Sequence, residues 1–229
     1  MIKLQSDYTK YKCWAFDCDG VLIDSNAIKI QAFRDVAEQY GPESTEALVD
    51  HHIKYGGISR FVKFEYLFSD ILCRKPEAGE LERVLEQFSK ATMARLIECE
   101  VAPHLHDVLK AASQNAKLFV VSGGLQNEVR EVLKQKGLAD YFTDIFGSPD
   151  NKAQIFSRER ENGQMAGPAV FVGDAQYDHE MAEKFGFDFI FAHDWTDFKG
   201  WSDYLKDKDV KIMASVADVL ALDKPAKQR

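Results

Sequence analysis

Asp17 and Asp19 stand two residues apart in FDCDGVLIDS (16–25), after a short apolar run and just before Gly20. Carboxylates at this spacing leave a strand together in a turn. One can then face a phosphorus atom and a metal ion, while the other reaches a leaving-group oxygen from the side. An aspartate nucleophile is a known route for phosphoryl groups, and it needs a cation to reduce the repulsion between two anions. The same residues also fit an ordinary turn, since Asp-Gly is a common turn dipeptide. A calcium loop does not fit, because Val21 and Ile28 stand where the fifth and twelfth ligands of an EF-hand would be.

Further along the chain are three segments with compatible chemistry. In VVSGG (120–124) a hydroxyl at a strand end precedes two glycines, so Ser122 Oγ and the Gly123 amide can meet phosphate oxygens in an anion-binding nest; a plain glycine turn is the alternative. In GSPDNKAQ (147–154), Lys152 can steady phosphate charge and the Asp17 carboxylate, although a lone lysine is more often a solvated surface charge. In VGDAQYD (172–178), Asp174 follows an apolar run and suits magnesium, which takes few carboxylates alongside water and phosphate. The position equally favours a helix N-cap. Asp178 lies one helical turn on, placed to orient a metal-bound water or to hold the loop.

These residues need elements that bring them together. Residues 12–17, 117–124, 143–148, 168–174 and 187–192 read as buried strands, and 210–215 as an edge strand. Trp14, Phe16, Phe119 and Phe171 read as strand core. Helical patterns follow several strands, at 125–136 and 175–185. Strands alternating with helices predict an α/β fold with a doubly wound parallel sheet, whose site lies outside the carboxyl ends of its strands. Residues 26–99 differ: they carry helical patterns at 26–40, 44–54, 58–73 and 77–98, broken at Gly41-Pro42, Gly56-Gly57 and 75–79. The predicted organisation is a core of residues 1–25 and 100–222, an inserted helical unit at 26–99, and a frayed tail at 223–229.

Composition bounds the rest. The 229 residues are 45% hydrophobic and 29% charged, with a formal net charge of -8, which argues against a nucleic-acid partner. Cys13, Cys18, Cys73 and Cys99 form no C-x-x-C pair, as expected in a reducing compartment; Cys18 reads as packing. The N-terminus has no apolar signal-peptide stretch and no run spans a bilayer. A cytoplasmic location with no membrane partner is expected.

In order and spacing the four segments resemble the haloacid dehalogenase-like superfamily across most of residues 12–192. The resemblance implies a Rossmann-like core, Asp17 as nucleophile, Asp19 as acid/base, and Ser122 and Lys152 as phosphate-binding residues. It further implies Mg²⁺ held by Asp17, the Asp19 backbone carbonyl and Asp174, with Asp178 as the accompanying acid. The insertion looks like the helical cap of phosphoglycolate phosphatase and β-phosphoglucomutase. Departures are Pro103–His104, where the family usually has glycine after the proline, and Ala153 in place of a proline. Asp19 argues against carbon–halogen cleavage, because dehalogenases generally lack the second aspartate.

The expectation is therefore a phosphatase acting on a small phosphorylated metabolite, foremost a sugar phosphate, through an aspartyl-phosphate. A β-phosphoglucomutase-like mutase and a non-catalytic binding protein are the alternatives. Substrate choice should lie in 51–66, HHIKYGGISRFVKFEY. There Gly56-Gly57 lets a loop approach the ligand, and Arg60 and Lys63, three apart, can meet a phosphate or a sugar carboxylate. The competing expectation is that Arg60 and Lys63 are solvated. His51 and His52 read as polar surface, and His104 and His106 as surface residues near a hinge.

Overall fold

The computed structural model describes residues 2–221; the tail at 223–229 lies outside the described residues. Six strands, β1 (Cys13–Phe16), β2 (Lys117–Leu125), β3 (Asp144–Ser148), β4 (Ala169–Gly173), β5 (Asp188–Ala192) and β6 (Lys211–Met213), form one sheet in the order β3-β2-β1-β4-β5-β6. Every neighbouring pair is parallel. All six apolar runs read from the sequence are strands of this sheet, and 210–215 lies at its edge. Winding reverses direction at β1, so the crevice for a ligand opens beyond the carboxyl ends of β1 and its neighbours.

The central strands β1 and β4 are apolar and buried at every residue because both sheet faces are covered, as parallel sheets require. Trp14, Phe16, Val120 and Val172 pack on one face. Ala15, Phe119, Phe171 and Phe191 pack on the other, giving the period-two alternation of a strand. Burying a phenylalanine side chain contributes about 1.5–3 kcal/mol, so these rows hold the strand ends in place.

Between β1 and β2 the chain forms α1 (Asn26–Ala37), α2 (Pro42–Lys54), α3 (Arg60–Tyr66) and α4 (Glu80–Glu98). They enclose their own apolar cluster, including Phe33, Leu48, Phe64, Phe68 and Phe88. Pro42 at the first helical position starts α2 two residues earlier than expected. The single helix expected at 58–73 is shorter. Ser59 caps α3 by accepting from the Phe61 amide, and after Tyr66 the backbone widens into a π turn at Leu67–Ile71, where adjacent Leu67 and Phe68 are both buried. The two linkers to the core pair with each other: Asp24 N donates to Glu100 O at 2.9 Å, and Ala102 N to Leu22 O at 3.0 Å.

The remaining helices are α5 (Leu105–Ser113), α6 (Gln126–Gln135), α7 (Lys152–Glu161), α8 (Gln176–Phe185) and α9 (Trp201–Leu205). His104, where the resemblance leads one to expect glycine, is left-handed at φ 54° and exposed, a conformation that favours glycine. Among the described residues no helix is long and apolar enough to cross a membrane.

Candidate active site

Strand register brings the chemistry together. Phe16 pairs with Val120 of β2 and with Val172 of β4. Asp17 lies one residue beyond Phe16, while Ser122 and Asp174 lie two beyond its partners. The Asp17 amide donates to Val172 O at 2.8 Å, which carries the pairing past the end of β1. Gly20, at φ 72°, turns the chain back; a Cβ there would sit 2.2 Å from Asp174 Oδ2, so the close approach of the two segments needs glycine.

Lys152 is fully buried, with a side chain 1% exposed, contrary to the surface role commonest for lysine. It opens α7, whose N-terminus is fixed by a reciprocal Asn151–Gln154 capping pair. Its Nζ lies 3.0 Å from Asp17 Oδ1 and 2.5 Å from Asp178 Oδ1. Asp178 Oδ2 accepts from the Asp174 and Ala175 amides at 3.3 and 3.2 Å. The N-cap of α8 is therefore Ala175, with Asp178 reaching back to it. Asp174 is freed from capping, and its Oδ2 accepts from Asn26 Nδ2 at 2.9 Å.

Asp19 faces a different environment. Its Oδ1 accepts from Ser25 Oγ at 2.6 Å, and its Oδ2 pairs with Lys29. Burial pushes its carboxyl up, but Lys29 and Ser25 outweigh that and hold it below the ordinary value. Asp17 is pushed the other way, to about 7, by burial, with Lys152 opposing and Asp178 and Asp19 adding to the rise. Asp174 is driven well above the usual carboxylate range by burial and by the Asp17 and Asp178 charges. For Lys152, burial lowers the pKa, but Asp17 and Asp178 outweigh it and raise it above the ordinary value.

Asp17, Asp174 and Asp178 each offer an oxygen, and these lie within 4.8 Å of one another. Buried carboxylates crowded this closely repel, and one lysine cannot balance them. The donor set is all oxygen, which suits a hard divalent cation. The Asp19 side chain turns away to Ser25 and Lys29. Ser122 Oγ is buried and accepts from the Gly124 amide at 3.0 Å, within the irregular last part of β2 that presents Gly123 and Gly124 to the cavity.

A cavity of about 260 Å³ lies over these groups, lined on one side by Asp17, Asp19, Gly123 and Asp174 and on the other by residues of the insertion. The insertion is closed onto the core. A Cβ on Gly123 would fall 2.4 Å from Gly57 O, so glycine is what allows this contact. Neither Arg60 nor Lys63 is solvated, and the two diverge. Arg60 pairs with Glu128 of α6, donates to Ser89 Oγ at 2.9 Å, and lies over the Phe88 ring. Lys63 Nζ lies 2.7 Å from His52 Nδ1. His52 thus lines the cavity and is not polar surface, while His51 stacks on Tyr66. His104 and His106 are exposed and far along the chain from this cluster, as expected.

Sequence reasoning missed Ser25, Asn26, Lys29 and Thr196. Asn26 and Lys29 share one face of the first turn of α1, directly after the Asp17/Asp19 segment; that spacing was the available signal. Thr196 Oγ1 donates to the Asp174 carbonyl from a loop distant in sequence, and nothing local marks it.

Comparison with known proteins gives the family. Over 185 residues the chain is 27% identical to a phosphorylated carbohydrates phosphatase of Thermotoga maritima, covering 77% of this chain and 82% of that protein. Its fold matches a β-phosphoglucomutase of Clostridium difficile (TM-score 0.71, 19% identity, 90% and 92% of the two chains). It also matches a haloacid dehalogenase-like family hydrolase of Streptococcus pneumoniae (TM-score 0.69, 20% identity, 92% and 97%). Residues 15–192 match the sequence profile of haloacid dehalogenase-like hydrolases, and the chain belongs to that family.

Proposed function

We propose that this phosphoric monoester hydrolase acts on a small phosphorylated sugar, with Mg²⁺ at its acidic cluster. The observation that carries the reading is the buried Asp17–Lys152–Asp178 array beside Asp174, under a closed helical cap. A cavity of about 260 Å³ suits a metabolite rather than a polymer. The Thermotoga maritima relative, whose name specifies phosphorylated carbohydrates, supports the substrate class.

Asp17, the Asp19 backbone carbonyl and Asp174 would hold the ion, with Asp178 steadying the loop. When bound, the ion supplies positive charge against the phosphoryl oxygens. Asp17 attacks phosphorus in line, forming a carboxylate–phosphorus bond as the ester oxygen–phosphorus bond breaks. Asp19 donates a proton to the departing oxygen, then takes one from the water that cleaves the aspartyl-phosphate. Its lowered pKa suits the second step, in which it must be a carboxylate. Lys152 and the Gly123 amide stabilise the transferring group in place, so catalysis is positioning plus electrostatics. The cap excludes bulk water.

The test is phosphate release from a panel of sugar phosphates with Mg²⁺. Asp17→Asn should lower kcat by at least about 10³-fold, the scale of losing a nucleophile. Wild-type rates in Asp17→Asn would refute the scheme. Turnover that requires a sugar bisphosphate would move the assignment to phosphoryl transfer between sugar positions.

A further inference from the structure

Lys63 is 2% exposed, yet it lines the cavity. Its Nζ has one close partner, His52 Nδ1 at 2.7 Å, with the His52 carbonyl at 3.5 Å. Among the described residues no carboxylate lies within ion-pair distance of it. Asp19 is held by Lys29, and Glu128 is held by Arg60. Asp197 lines the same cavity but lies beyond ion-pair distance.

A buried ammonium without a counter-charge is destabilising. Burial, reinforced by Lys29, pulls the Lys63 pKa down to about 7. Burial and Lys63 together hold His52 well below its ordinary value. His52 is therefore a neutral acceptor, which orients the ammonium without balancing its charge. The reacting phosphoryl group already has Lys152 and the Gly123 amide. Among the described residues no negative charge matches Lys63, and its side chain lines the cavity from which one can come.

We infer that Lys63, positioned by His52, binds a second anionic group of the substrate, a carboxylate or a second phosphate on the part that departs as the alcohol. The inference rests on the phosphatase reading and narrows it from sugar phosphates in general to those bearing a further negative charge. Arg60 does not serve this purpose, because Glu128 and Ser89 already engage its guanidinium.

The experiment measures kcat/KM of the full chain with Mg²⁺ on glucose 6-phosphate, 6-phosphogluconate and glucose 1,6-bisphosphate, with p-nitrophenyl phosphate as a general substrate. One of the two doubly anionic sugars should exceed glucose 6-phosphate by at least about ten-fold, the scale of one charge-assisted contact; which of them does so identifies the anion. In Lys63→Met that preference should collapse toward unity, and Lys63→Arg should restore part of it. Lys63→Gln gives the same readout should the methionine variant not fold. Equal loss on all substrates would place Lys63 at the reacting phosphate and overturn the inference. So would a wild-type enzyme that shows no preference while hydrolysing glucose 6-phosphate well. Failure to release phosphate even from p-nitrophenyl phosphate would instead sink the phosphatase reading, and this inference with it.

Discussion

Asp17 and Asp19 are chemically alike in sequence and opposite in environment. Lys29 and Ser25 hold the Asp19 carboxyl below its ordinary value, while burial and its neighbours push Asp17 to about 7 and Asp174 well above its usual range. A group raised in the folded state stabilises the fold at low pH, and that contribution is lost as pH rises through the folded value. For Asp17 the loss spans roughly pH 4 to 7. A divalent cation binds the ionised carboxylates, so it should offset that loss. Thermal melting of chelator-treated protein should therefore show a larger Mg²⁺-induced rise in Tm at pH 8 than at pH 5.5. An equal rise at both pH values would remove Asp17 and Asp174 from the metal site. Asp17, Asp19 and Asp174 were legible as residues because strand-end position limits what a polar side chain can do, and Lys152, which opens α7, was legible only from its place between the Ser122 and Asp174 segments. Lys29 and Asn26 were not, because a helix's first turn is polar in most proteins.

At the scale of elements, the site is a set of strand ends and helix starts. Parallel register places Asp17, Ser122 and Asp174 within two residues of one level across three strands. Two helix starts then supply Lys152 and Asp178. The Gly56–Gly57 loop between α2 and α3 meets the irregular end of β2, with Gly123 against Gly57 O. Gly123→Ala should wedge this contact open, since its Cβ would collide with backbone and not with a flexible side chain. We expect kcat/KM on a sugar phosphate to fall by about 10²-fold, as for a misplacement near 1 Å, with little change in Tm because cap movement relieves the clash. Unchanged kinetics would mean the closed contact is not used in turnover. The strands were read well because continuous apolar runs signal two-sided burial. The helix ends were read less well, since Pro42 and the π turn are local events that tertiary packing selects.

Across the whole molecule, cap and core have separate apolar clusters joined by two paired linkers. Their closure is held by Arg60–Glu128, whose side chains are 5% and 13% exposed. Removing one partner of such a pair is destabilising by up to about 3 kcal/mol. Glu128→Gln should therefore favour the open arrangement. Small-angle scattering should report a larger radius of gyration, and KM should rise by more than kcat falls. An unchanged radius together with an unchanged KM would show that this pair does not govern closure.

The sequence by itself determined the class of hydrolase and the parallel α/β core. Those depend on residue type, strand periodicity and fixed order along the chain, all of which are local. Only the tertiary structure decided what the charged residues of the cap face. Arg60 and Lys63 sit three apart on one helix, yet one meets a carboxylate from α6 and the other is left with a neutral histidine. A charge takes its role from partners brought close by folding, and those partners lie far away in sequence. The Asp17/Asp19 pair carried its own context with it, being tied to the end of a buried strand.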